Sequence, residues 1–166
     1  MAELDKIEAQ IFETLKPFAK KALDAELSDG DWTKGIMKLL GSLGEKNGCD
    51  ISVSAISDDY DSEWLFDMTW WKYENNSLKE IPLVVESEWN RSIEEIQYDF
   101  EKIMVAKADH RLMIYQGGTK ESVRETKEYL IQIIKNFKLS TIGDRYLFIG
   151  YCEEEGKFLR ELFIYE

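Results

Sequence analysis

Apolar residues recur every three or four positions in the first third of the chain and every second position in much of the remainder. Leu4, Ile7, Ile11, Leu15, Phe18 and Ala22 fall on one face of a helix from Leu4 to about Leu23, which Pro17 kinks or splits. Ser28-Asp29-Gly30 predicts a turn. Asp31 then caps a second helix that buries Trp32, Ile36, Leu39, Leu40 and Leu43, and Asn47-Gly48 ends it, because glycine tolerates a left-handed backbone.

The period then shortens to two. Ile51, Val53 and Ala55 alternate with serines, which predicts a first strand. After a turn at Asp58-Asp59-Tyr60-Asp61, Glu63 to Tyr73 reads as a second strand. Trp64, Phe66, Met68 and Trp70 face one way there, and Leu65, Asp67, Thr69 and Trp71 the other. Asn75-Asn76-Ser77 turns the chain into a third strand, Ile81 to Trp89. Short turns between these strands predict an antiparallel meander.

Ser92 and Glu95 then read as a capping box for a helix with Ile93, Ile96, Phe100 and Ile103 on its buried stripe. The apolar run Arg111 to Tyr115 suits a strand covered on both faces. The unit from Ile81 to Tyr115 is long enough for a right-handed parallel crossover. Gly117-Gly118-Thr119 opens a helix from about Lys120 to Phe137. Tyr146 to Tyr151 and Lys157 to Tyr165 are the last strands, joined by the acidic turn at Glu153-Glu154-Glu155-Gly156. The expected fold is therefore α/β with a mixed sheet: a three-stranded antiparallel meander plus a parallel crossover strand, flanked by helices. The 166 residues fit one domain, with a helical segment over about 1–27 packed on the core.

Charge narrows the partners. With 33 acidic against 21 basic residues the formal net charge is −12, which opposes nucleic-acid phosphates at long range and favours basic partners. No apolar run is long enough to span a bilayer, so no membrane is expected. The start, Met1-Ala2-Glu3-Leu4-Asp5, lacks a basic region followed by an apolar stretch. A cytoplasmic protein is expected, with Cys49 and Cys152 as free thiols.

The candidate chemistry lies in the meander. Asp67 is a lone acid in an apolar strand, and Glu86 and Glu88 share one face of the next. Neighbouring strands lie about 4.8 Å apart. With a suitable register the three carboxylates converge, and they would raise one another's pKa unless a cation joined them. Hard oxygen ligands of this kind suit Mg²⁺ or Mn²⁺. The bland alternative is a solvent-facing acidic strip. Asp29-x-Asp31, Asp59-x-Asp61, Asp99-x-Glu101 and Glu153-x-Glu155 show that the spacing is common in this chain.

The order of elements around Trp64-Leu65-Phe66-Asp67 and Leu83-Val84-Val85-Glu86-Ser87-Glu88-Trp89 resembles the PD-(D/E)XK nuclease superfamily from about Trp32 to Tyr115. The resemblance implies a restriction-endonuclease-like core in which Asp67 and Glu86 hold a divalent metal. Two positions depart from the family pattern. Phe66 stands where proline is usual, and Glu88 replaces the lysine that orients or activates the attacking water. Some members supply a substitute from the following helix, and Lys102 is the candidate here, with Gln97 a second polar residue near the start of that helix. Glu45 is the nearest match to an assisting acid of the first core helix. The resemblance thus implies Asp67, Glu86, Glu88 and Lys102 as catalytic residues, Mg²⁺ or Mn²⁺ as cofactor and nucleic acid as substrate. The charge of −12 and the missing lysine favour a second reading, a non-catalytic acidic module on the same fold that binds a basic protein.

Other residues take plainer readings. His110 is expected in a loop between helix and strand. Trp70 is expected to pack, while Trp71 and Trp89 remain open between packing and base stacking. Lys120, Arg124 and Lys127 follow helical spacing but interleave with Glu121, Glu125 and Glu128, so an ion-paired, solvated helix is expected.

Overall fold

The computed structural model describes residues 3–53 and 65–166, and the backbone of 61–62. The expected strand residue Ala55, the turn at 58–60 and Trp64 lie outside them. Pro17 divides the N-terminal segment, as its period and proline predict, into α1 (Lys6–Leu15) and α2 (Phe18–Asp24). The next helix, α3 (Asp29–Lys46), begins three residues earlier than expected. Ser28, rather than Asp31, is its cap, and the Ser28 hydroxyl accepts from the Asp31 N–H at 3.3 Å. Gly48, at φ 74°, closes it.

The remaining elements are β1 (Asp50–Val53), β2 (Asp61–Ser62), β3 (Met68–Glu74), β4 (Ser77–Glu88), α4 (Ile93–Met104), β5 (His110–Gly117), α5 (Lys120–Asn136), β6 (Arg145–Cys152) and β7 (Lys157–Ile164). They form one mixed sheet in the order β2-β1-β3-β4-β5-β6-β7. The antiparallel meander β1-β3-β4 and the parallel β4-β5 pair are as the sequence predicts. β6 continues parallel to β5, and β7 returns antiparallel. Asn75 and Asn76 make the tight β3–β4 turn at φ 51° and 58°, the left-handed pair that a two-residue hairpin requires and asparagine tolerates.

Helices cover both faces. Ile36 and Leu40 of α3 and Ile11 and Leu15 of α1 pack on Met68, Trp70, Val85, Leu112 and Ile114. On the other face, Ile96 and Phe100 of α4 and Leu130 and Ile134 of α5 pack on Val84, Met113, Tyr115 and Phe148. β5 thus sends alternate apolar residues into two cores, which is why its sequence shows no polar alternation. Gly44 lets α3 lie directly on the meander: a Cβ there would come within 2.4 Å of Ile51 Cδ1 and 2.7 Å of Trp70 Cε2.

Four expectations are corrected. β3 begins at Met68, so Phe66 and Asp67 lie in the bend before it, and Phe66 packs with Val84 and Phe100, opposite to Met68 and Trp70. β4 is longer than expected and starts at Ser77, because the hairpin zips to its tip. Ser92 caps α4 by position but donates its hydroxyl to Glu94 at 2.6 Å, with no side-chain cap bond. His110 is the first residue of β5 and is buried, not in a loop. Among the described residues no helix is long and apolar enough to cross a membrane. Cys49 and Cys152 are buried free thiols.

Candidate active site

β3 and β4 pair as far as Met68 and Val85. One residue further out, the antiparallel register sets Asp67 alongside Glu86. Asp67 is anchored there by the residue between the two glutamates: its Oδ2 accepts from Ser87 N at 2.8 Å and from Ser87 Oγ at 3.0 Å. Burial pushes the Asp67 carboxyl above its usual range despite these two donors.

Glu86 sits on the α4 side of β4, beside Met113 of β5, and is 1% exposed. Lys102 of α4 reaches over it, with Nζ 2.9 Å from Glu86 Oε1 and 3.0 Å from Asp99 Oδ1. The Lys102 ammonium is thus the close partner of Glu86 Oε1, but it is shared with the Asp99 carboxylate. Burial, and then the neighbouring Asp67 carboxylate, push Glu86 up to about 8. Burial alone would lower Lys102, but Glu86 and Asp99 outweigh it and hold its ammonium above the usual lysine range. Lys102 therefore stays charged, and Glu86 is the member of the pair that gains or loses a proton near neutrality.

Glu88, next on the same face, turns toward the loop before α4. Its Oε1 accepts from Asn90 N at 2.6 Å. Burial, then the Asp99 carboxyl beside it, raise its pKa against that bond. The structure thus brings Asp67, Glu86 and Lys102 together, adds Asp99 and Ser87, and leaves Glu88 at the rim. Gln97 is directed elsewhere, donating to Glu101 at 2.7 Å and accepting from Tyr129 at 2.6 Å. Glu45 is exposed near the end of α3 that leads into β1 opposite Trp71, toward the far end of β3 from Asp67.

The tryptophans mostly pack. Trp70 is fully buried, and Trp71 is buried on the other face of β3. Trp89 packs against Trp32 with ring centroids 5.5 Å apart and donates Nε1 to Thr33 Oγ1 at 2.9 Å, which ties α3 to the end of β4. A base-stacking role for Trp89 is replaced by this packing.

Among the described residues, three potential metal-ligand side chains come within 4.8 Å of one another only at Asp5, Glu8 and His110. Their donors are already engaged. Arg145 donates to Glu8 through Nε at 2.8 Å and Nη2 at 2.6 Å. His110 lies between Pro82 O at 2.8 Å and Asp5 Oδ2 at 2.6 Å. These residues pin α1 to the start of β5 and β6. Nothing in the sequence pattern marks this network, because its partners are more than a hundred residues apart. Ser87 is legible in the sequence only as the residue between two glutamates, on the face that alternation assigns to packing.

No protein-family model, no curated protein and no solved structure matches the chain.

Proposed function

We propose that Asp67, Glu86 and Lys102 form the centre of a metal-dependent phosphodiesterase site of the PD-(D/E)XK kind, acting on nucleic acid. One observation carries this reading: a buried carboxylate, Glu86, beside a second carboxylate, Asp67, with its one lysine shared with Asp99. Buried carboxylates that crowd one another around a single shared cation are a common mark of functional sites. The element order α3-β1-β3-β4-α4-β5, with the meander and the parallel crossover adjacent in the sheet, supports a restriction-endonuclease-like core.

The donor set fits Mg²⁺ or Mn²⁺, which accept one or two protein carboxylates and fill their remaining positions with water and phosphate oxygens. Asp67 and Glu86 would hold the ion. Bound there, it would polarise a phosphoryl oxygen and acidify a water. The protein's own contributions are separate. Ser87 fixes the orientation of Asp67 through two hydrogen bonds. Lys102 keeps a positive charge beside Glu86, where it would face charge developing on a phosphate and stand in for the lysine that Glu88 replaces. Glu88 at the rim would position water.

Calorimetric titration of Mn²⁺ into the protein, beside Asp67→Asn and Glu86→Gln, tests the reading. One saturable site lost in both variants is expected, together with Mn²⁺-dependent cleavage of single- or double-stranded oligonucleotides. Binding that is weak and indifferent to both substitutions would remove the enzyme and leave the acidic, non-catalytic interaction module.

A further inference from the structure

The foot of α1 rests on a histidine with an acceptor on each side. His110 begins β5, is 7% exposed, and points to the same layer as Leu112 and Ile114, beneath the first turn of α1. Its Nδ1 lies 2.8 Å from Pro82 O, and its Nε2 lies 2.6 Å from Asp5 Oδ2. A carbonyl oxygen only accepts, so Nδ1 carries a hydrogen. A neutral imidazole has a single N–H, which would leave Nε2 as an acceptor facing a carboxylate oxygen. At 2.6 Å that contact requires a second proton between them. Burial alone would raise the Asp5 carboxyl, but the Glu8 N–H and His110 outweigh it and hold it below its usual range. The second proton therefore sits on the ring, and His110 is an imidazolium.

Charge balance gives the same answer. Asp5 and Glu8 of α1 face His110 of β5 and Arg145 of β6, which stands opposite His110 in the sheet. Arg145 is committed to Glu8 by two hydrogen bonds and reaches Asp5 Oδ2 only at 3.9 Å. Asp5 is thus closely matched by His110 alone. The other groups at this end are engaged elsewhere. Asp144 meets Arg111 at 3.2 Å and accepts from Thr141 N at 2.9 Å, Pro82 of β4 offers only its carbonyl, and Glu3, Lys6 and Asp109 are exposed to water. Asp5 has a second task as the cap of α1: its Oδ1 accepts from Glu8 N at 3.0 Å, and its own N–H donates to Glu8 Oε2 at 2.9 Å. One carboxylate both closes the helix and holds the imidazolium.

We propose that His110 is a proton-operated clasp, which fixes the first turn of α1 to β5 when charged and releases it when neutral. Once the second proton leaves, two acceptors oppose each other at a distance that only a shared hydrogen permits. His110 is enclosed, whereas the Asp5 side chain is 41% exposed, so Asp5 is the member that turns to water. The cap goes with it, and the first turn frays while Glu8 stays on Arg145. The clasp does not depend on the metal-dependent reading of Asp67 and Glu86.

NMR on the full chain tests the clasp, because His110 is the only histidine and its ring signals need no assignment. Both ring nitrogens are expected to carry hydrogen at about pH 5, and pH is then raised until the second hydrogen leaves. Over that step the Glu8 and Ala9 amides, which donate to Asp5, should lose about ten-fold in protection from hydrogen exchange after correction for the intrinsic rate. Amides of α5 should keep theirs. Asp5→Asn retains the cap oxygen and offers an N–H to neutral Nε2, so its dependence should invert, with the first turn protected at high pH and frayed at low pH. A ring with a single hydrogen at about pH 5, protection that does not change as the ring titrates, or an Asp5→Asn profile that runs in the wild-type direction would each overturn the proposal.

Discussion

Two clusters in this protein combine buried carboxylates with cations, and they are built to opposite specifications. At the foot of α1, Glu8 is fully buried and receives two hydrogen bonds from Arg145, while Asp5 accepts from Glu8 N at 3.0 Å and meets His110. Beside α4, Glu86 is equally buried, but its one cation is shared with Asp99 and its neighbour is another carboxylate. A charge that is fully matched contributes to architecture, because removing either partner strands the other. A charge that is under-matched stores electrostatic free energy that a ligand can release. The difference separates a structural network from a candidate site even though both hold acids at similar depth.

The largest effect should come from the under-matched cluster. Glu86→Gln is expected to weaken Mn²⁺ binding by at least about 10²-fold while the protein unfolds at no lower denaturant concentration. Unchanged Mn²⁺ affinity would erase the distinction between the two clusters. The matched cluster should respond in the opposite way: Arg145→Ala leaves Glu8 uncompensated and should cost roughly 3–5 kcal/mol in urea unfolding, with Mn²⁺ affinity per folded molecule unaltered. A loss below about 1 kcal/mol would show that Glu8 finds water instead.

A pH series sharpens the comparison. Glu86 has a folded pKa of about 8, above its unfolded value, so the folded state binds the extra proton. Its contribution to stability is fully present below the unfolded glutamate pKa and is lost as pH rises through about 8. Glu86→Gln should flatten that part of the stability profile. Metal must displace the same proton, so Mn²⁺ affinity should rise with pH, by up to about ten-fold per unit, and level off above about 8. A flat affinity profile across that window would mean that Glu86 does not ligate the ion. The smallest expected effect is Ser87→Ala, which removes the hydroxyl donor to Asp67 Oδ2 but keeps the backbone N–H. It should cost about 1 kcal/mol of stability and weaken Mn²⁺ binding less than Glu86→Gln does. Equal losses in both variants would assign Ser87 a larger part.

Local pattern carries far in this chain. The 3.6-residue period and Pro17 define α1 and α2, the asparagine pair defines the β3–β4 hairpin, and the unbroken apolar run of β5 announces a strand buried on both faces. The hairpin brings the two strands together, but its register continued from the Glu74–Ser77 tip would set Asp67 opposite Val84; two shifts between Trp70 and Tyr73, which the sequence does not announce, move it to Glu86. Lys102 is legible as a residue off the apolar stripe of α4, one turn beyond Asp99.

Tertiary structure decided the rest. Whether Glu86 faced solvent or lay beneath α4 depended on how the helix sits on the sheet, and its raised pKa comes from that burial rather than from its neighbours in sequence. The bend before β3 moved Phe66 to the opposite core from Met68, which strict alternation does not foresee. The partners of Glu8 and His110 join residues distant along the chain. Periodicity records what each residue does within its own helix or strand. Charge state and site geometry arise where separate elements meet, and there the sequence supplies the side chains while packing sets their distances and their exposure to water.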